Sequence, residues 1–326
     1  MKRFVVGAWH WVDDRLGISD LIGPSLKHLV PRDARWWYVF GSATLLAFIV
    51  QVVTGVALAF SYIPSSSQAY ETLEFITNQA PFGSFLRGMH YFGASAMVLM
   101  VGAHMAQTFL FGSYKFPREM NWTTGVLLLG FTLVMGFTGQ LLRWDQTATW
   151  SVVVAAEQAG RVPLIGDFLA QFILGGKTLG GATLSRFFAI HVFIMPALLF
   201  VFIGFHLLLV LRHGIAEPPA GKPVNPATYR AEYEELMRKT GHPFWPEGAW
   251  RDFVVGTALI IVIALLAYFV GPPALDKPPD PSILNADPRA DGCLLWYFQF
   301  LAWTPPPLSP FVMVFSPAVI RCAPVA

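Results

Sequence analysis

The stretch His90-Tyr-Phe-Gly-Ala-Ser-Ala-Met-Val-Leu-Met-Val-Gly-Ala-His104 decides the reading of this chain. It has a histidine at each end and no charged residue between them. In a helix turning about 100° per residue, these 14 steps fall about 40° short of four turns. The two imidazoles then share one face, separated by a rise of about 21 Å. His191 and His206 repeat the arrangement at 15 steps, about 60° past four turns.

The surroundings are those of a membrane protein. Of 326 residues, 55% are hydrophobic and 13% charged, with mean hydropathy +0.52; soluble domains carry about a quarter charged residues. Apolar windows long enough for a hydrocarbon layer of about 30 Å cover Trp36–Tyr62, Phe85–Phe111, Trp122–Leu142, Phe187–Leu211 and Phe253–Gly271. A sixth window, Leu308–Ile320, is short and proline-flanked; it begins a sixth span, re-enters, or stops early. Lys2 and Arg3 precede an apolar run that Asp13, Asp14 and Arg15 interrupt. This predicts an amphipathic surface helix and no cleavable signal peptide.

Fourteen lysines and arginines fall in the N-terminal segment, near Lys115 and in Arg212–Arg251, against seven on the opposite side. The basic side is expected to be cytoplasmic, giving a multi-pass protein of the inner (cytoplasmic) membrane with its N-terminus inside. The net charge of +2 gives no footing for nucleic acid, and none is expected as a partner. Cys293 and Cys322 form neither CxxC nor CxxCH, and their role is open.

The expected organisation is an N-terminal cytoplasmic surface segment (1–35), a four-helix core (36–215), a cytoplasmic connector (216–250) and a C-terminal domain (251–326). The connector is expected to be helical over Ala227–Lys239, and the C-terminal domain to hold one or two spans and an outer loop. The outer segment Trp144–Ser185 is expected to carry a surface helix around Val152–Gln158, and loops of such length are commonly functional.

The second and fourth spans run in the same direction, so His90 and His191 share the outer depth and His104 and His206 the inner one. Two facing imidazoles at one depth make an axial pair for haem iron. Gly41 and Gly55 in the first span are also 14 apart, as are Gly125 and Gly139 in the third. Backbone without side chains lets a porphyrin approach between helices. A lone polar residue in a membrane helix often only bonds a neighbour, and glycine is common at helix contacts. Four histidines at two matched depths, with two glycine pairs in step, exceed that reading. Structural zinc wants four ligands around one point, which two distant pairs do not offer. The fold class expected is therefore an all-α integral membrane protein. A four-helix bundle holds two haem b groups, with one or two further transmembrane helices.

These features resemble the cytochrome b family of Rieske/cytochrome bc complexes over roughly Trp9–Trp303. The resemblance is carried by Arg87-Gly-Met-His90, His104, Arg186-Phe-Phe-Ala-Ile-His191, His206, Lys115-Phe-Pro-Arg118-Glu119 and Trp144-Asp145-Gln146. The 15-residue spacing looks like the plastoquinol-oxidising and firmicute-like branch, whereas the mitochondrial type uses 14. The resemblance implies that His90 and His191 ligate an outer, low-potential haem and His104 and His206 an inner, high-potential one. Arg87 and Arg186 would pair with propionates, and Arg118 would be a further cofactor-binding residue.

The implied activity is quinol oxidation at the outer side, one electron going to a Rieske iron–sulfur protein and one through both haems to an inner quinone. Implied partners are that Rieske protein, a c-type cytochrome, and a further membrane subunit supplying C-terminal helices, in a dimeric complex with lipid and quinone. Two departures stand out. The branch anchors a covalent haem through a cysteine where this chain has Val39, so no covalent haem is expected. The family's Pro-Glu-Trp-Tyr motif is replaced by Leu294-Leu295-Trp296-Tyr297. Leucine cannot accept a proton, so the expectation is that Asp145 or Asp291 substitutes beside Tyr297, or that the protons leave through water. The alternative is a dihaem electron conduit lacking its own quinol-oxidising site. A proton-relay channel leaves the glycine spacing unexplained.

Overall fold

The computed structural model describes residues 2–217, 225–280, 282–283 and 303–305. Five helical spans are long and apolar enough to cross a membrane: Trp36–Ala59, Gly83–Leu110, Glu119–Leu141, Gly181–His213 and Phe244–Phe269. They coincide with the five windows expected from hydropathy. The sixth window, Tyr297, Asp291 and both cysteines lie outside the described residues.

In chain order the helices are α1 (Lys2–Leu16), α2 (Ile18–Lys27), α3 (Phe40–Ala59), α4 (Ala69–Asn78), α5 (Gly83–Leu110) and α6 (Glu119–Leu141). There follow α7 (Gln146–Gly160), α8 (Gly166–Leu174), α9 (Gly181–Ala189), α10 (Met195–His213), α11 (Tyr229–Thr240) and α12 (Ala249–Phe269). α9 and α10 are one continuous span joined through a π-helical turn at Ile190–Ile194. The twenty residues of α3 contain no charged side chain and rise about 30 Å, the thickness of a hydrocarbon core.

α3 packs along α5, and α6 packs along α10. Midway between the two histidine levels the four helices meet in an apolar layer of Ala47, Phe48, Met97 and Leu199, flanked by Leu128, Phe131 and Met135. α12 is added against α3 and α5 through small residues. A Cβ on Gly88 would lie 3.0 Å from the Ala267 backbone, and one on Gly256 would lie 2.6 Å from Leu46. Membrane helices gain no hydrophobic drive from meeting one another, so close backbone approach and dispersion hold such a contact.

The ends are finished by short elements. Beside the start of α3, Leu29–Val30 and His242–Pro243 form a two-residue antiparallel ladder, Leu29 opposite Pro243. It ties the N-terminal segment to the polypeptide that leads into α12. α1 exposes Phe4, Val5, Trp9 and Trp11, as an apolar face made to lie on a membrane requires. At the other end α4, α7 and α8 cover the bundle over a second apolar cluster that includes Leu141, Trp144, Val152, Leu184 and Phe187.

Candidate haem centres

The structure brings the four histidines together as two pairs. The ring centres of His90 and His191 are 6.3 Å apart with planes at 77°; those of His104 and His206 are 6.5 Å apart at 81°. An iron bonded to an imidazole nitrogen on each side, at about 2 Å per bond, separates two ring centres by about 6 Å. Both gaps therefore suit an axially ligated iron. No group of three or more histidine, cysteine or carboxylate side chains converges on one point among the described residues. Each pair would offer two ligands, which fits a macrocycle that brings four nitrogens of its own.

Each histidine rests on a glycine of the preceding span. A Cβ on Gly41 would lie 3.2 Å from His104 Cε1, and on Gly55, 3.1 Å from His90 Cε1. On Gly125 it would lie 3.6 Å from His206 Cε1, and on Gly139, 2.6 Å from His191 Cε1. The glycines were expected to admit a porphyrin; what they face in the structure is the imidazole itself. A larger residue would push the ring out of line with its partner.

A hydroxyl next to the glycine fixes three of the rings. His90 Nδ1 lies 2.9 Å from Thr54 Oγ1, His206 Nδ1 2.9 Å from Thr124 Oγ1, and His191 Nδ1 3.1 Å from Thr138 Oγ1. Each of these hydroxyls already donates its proton to a carbonyl of its own helix: Thr54 to Val50 at 2.6 Å, Thr124 to Met120 at 2.9 Å and Thr138 to Val134 at 2.8 Å. The oxygen is left as an acceptor, so Nδ1 carries the proton and Nε2 keeps its lone pair for a metal. Sequence reading passed over these threonines, although Thr54-Gly55, Thr124-Gly125 and Thr138-Gly139 repeat one dipeptide.

The π turn explains the longer spacing in the fourth span. Met195 N–H donates to the carbonyl of Ile190, five residues back, and Pro196 has no N–H to close the usual bond to Val192. One extra residue is absorbed beside His191, and His206 returns to the same face. The 60° overshoot expected from a regular helix is thereby removed.

Asp145, Arg87 and Arg118 have protein partners. Asp145 is fully buried and caps α7, accepting from Ala148 N–H at 2.8 Å. Its other oxygen accepts from Arg143 Nη2 at 2.6 Å, Arg143 Nε at 2.9 Å and Asp276 N–H at 3.2 Å. Gln146 continues the seam: its N–H donates to Lys277 O at 2.9 Å, and its side chain exchanges bonds with the Asp280 backbone at 2.6 and 3.1 Å. Arg87 donates to Pro273 O at 2.7 Å and to Thr77 Oγ1 at 3.1 Å. Tyr70 donates to Asp276 O at 2.9 Å. Together these bonds clasp the segment after α12 onto the His90/His191 end.

Trp144 holds a φ of 47° inside this clasp, a region costing L-residues about 1–3 kcal/mol; burial and an indole bond to Ser66 O at 3.1 Å keep it there. Arg118 is buried at the opposite end, donating to Gly214 O at 3.0 Å and His213 O at 3.1 Å, beside the stacked rings of Tyr229 and Tyr233. Burial pushes the Tyr233 phenol up to about 12. Arg186 is exposed and donates to Phe172 O at 3.3 Å.

The sequence of the core has relatives. A model of the family described as cytochrome b/b6/petB matches residues 26–214, which include all four histidines. Cytochrome b6 of Synechococcus sp. (strain JA-3-3Ab) is 39% identical over 210 residues, 64% of this chain and 98% of that one. Cytochrome b6 of Prochlorococcus marinus (strain NATL1A) is 37% identical over 210 residues, 64% of this chain and 96% of its own. Among solved structures, a chain of a hyperthermophilic respiratory Complex III is similar with a TM-score of 0.80 at 26% identity, covering 96% of this chain and 80% of that chain. Two imidazole pairs, each seated on glycine and spaced for iron, thus occur in a sequence whose core matches that family over more than half its length: the chain belongs to the cytochrome b/b6 family, integral membrane proteins of electron transport that bind haem b.

Proposed function

We propose that this chain is the dihaem subunit of a quinol-oxidising bc-type complex. The observation that carries the proposal is the pair of facing imidazoles at each end of the bundle, with ring centres 6.3 and 6.5 Å apart. The similarity to a chain of a Complex III over 96% of this chain supports it. When bound, haem supplies reversible one-electron iron chemistry at each end, which lets the chain pass electrons between the two membrane faces. His90 and His191 hold one iron, His104 and His206 the other, and Gly41, Gly55, Gly125 and Gly139 keep the four rings in line. With the N-terminus inside, the His90/His191 pair is outermost. Arg186, exposed five residues before His191, is the better placed of the two outer arginines to meet a propionate.

For quinol oxidation at the outer side, Asp291 and Tyr297 are the proposed proton-handling residues. Asp145 is assigned a positioning role, since its carboxylate already accepts from three protein groups. That geometry also favours the second reading, an electron conduit without its own quinol site. The complex is proposed to contain a Rieske protein, a c-type cytochrome and a membrane subunit completing the C-terminal helices, without covalent haem on this chain.

Two measurements test these readings. Haem extraction and spectroscopy of the purified complex should give two bis-histidine b haems per chain, all removed by acid–acetone. With the inner site inhibited, added quinol should then reduce haem. Reduction absent in a preparation with both haems present leaves the conduit reading alone.

A further inference from the structure

The environments of the four histidines are not equivalent. Thr54, Thr124 and Thr138 present a hydroxyl oxygen to Nδ1 of His90, His206 and His191. The residue in the same place before Gly41 is Phe40, whose side chain has no acceptor. Correspondingly, His104 Nδ1 is buried with no hydrogen-bond partner among the described residues. One pair, His90–His191, therefore has both rings bonded at Nδ1. The other, His104–His206, has one.

This difference acts on iron through the ring. An Nδ1–H that donates a hydrogen bond gives the imidazole more imidazolate character and makes Nε2 a stronger donor. A stronger donor favours ferric over ferrous iron and lowers the reduction potential. The bond is made in a dry apolar interior, where such effects are least attenuated.

We propose that Thr54, Thr124 and Thr138 are positioning residues, each hydroxyl lowering the potential of the haem that its histidine would hold. The inference rests on the dihaem reading of the two pairs.

The test is potentiometric titration of the haem absorbance in the full complex. Thr54→Val and Thr138→Val should each raise the potential of the His90–His191 haem and leave the other component in place. A tenfold change in the ferric–ferrous equilibrium reads as about 59 mV for one electron. Thr54→Ser, which keeps the hydroxyl, should titrate like the parent. Thr124→Val should raise the His104–His206 component instead, and serves as the second variant if those at the other pair lose haem. Two intact components that fail to move in the valine variants, or that move equally in valine and serine variants, overturn the inference. A parent protein without two separate low-spin components overturns the dihaem reading itself, a result the variants cannot produce.

Discussion

Midway along the bundle, Phe48, Met97 and Leu199 fill the space between helices with hydrocarbon, and in the histidine pairs above and below every ring faces a glycine. The rim at the His90/His191 end is built otherwise. There Asp145, Gln146 and Arg87 bond backbone groups of residues 273–280, more than 130 positions along the chain. The middle is periodic because helices crossing a uniform medium can meet only at fixed intervals. The rim is aperiodic because it must satisfy whichever polar groups the loops bring to it. A substitution in the middle should therefore be read out at one cofactor, and a substitution at the rim as stability.

The largest effect is expected from the ligands. His191→Ala should abolish the haem of its own pair while the spectrum of the His104–His206 haem persists; loss of both together would show that the two levels are not independent. Next come the glycines, where distance grades the outcome. A Cβ on Gly139 would meet His191 at 2.6 Å, whereas one on Gly125 stands 3.6 Å from His206. Overpacking costs about 1–3 kcal/mol, so Gly139→Ala should lower occupancy of its haem about tenfold. Gly125→Ala should bind haem as the parent does. Haem-to-protein ratios after purification check both.

At the rim, Asp145→Ala removes a cap and one partner of an ion pair whose side chains are 0% and 16% exposed. Breaking a fully buried pair costs about 3–5 kcal/mol; the partial exposure of Arg143 brings the expected loss to about 3 kcal/mol. Thermal unfolding in detergent should show it, with both haem spectra unchanged before the transition.

The smallest effect is that of pH. Thr147 Oγ1 and the Lys277 N–H, donating at 2.7 and 2.8 Å, hold the Asp276 carboxyl below its ordinary value of 3.8. A lowered pKa in the folded state means the stabilisation is complete above the unfolded value and is lost as pH falls through the folded one. Hydrogen exchange at the Gln146 amide should be protected equally from pH 5 to 8, after correction for intrinsic rates. Loosening should begin only below about pH 4. Thr147→Val should move that onset upward.

Sequence reading succeeded where the chain repeats. The spans and the pairing of His90 with His191 and of His104 with His206 follow from 3.6 residues per turn in a medium of fixed thickness; the four glycines keep that period too, but they face the imidazoles and not the porphyrin they were expected to admit. It failed where the partner is distant or the helix irregular. Nothing local to Arg87 points to Pro273, 186 positions away. Asp145 was more legible: an acidic residue directly before Gln146-Thr-Ala-Thr reads as a helix-end hydrogen-bonding group, and it caps α7. The acceptor threonines were masked by their neighbours, since only the glycine of each dipeptide was counted.

The π turn at Ile190–Ile194 changes what residue spacing can say about ancestry. It stores one residue that neither histidine needs, so the fourth span can gain or lose a position there by a single-codon event while both imidazole pairs stay in line. Spans with histidines 14 and 15 positions apart are then neighbours in mutational distance. A shortened span that closes the turn into regular helix should keep both ligands on one face, and the count alone is a weak marker of lineage.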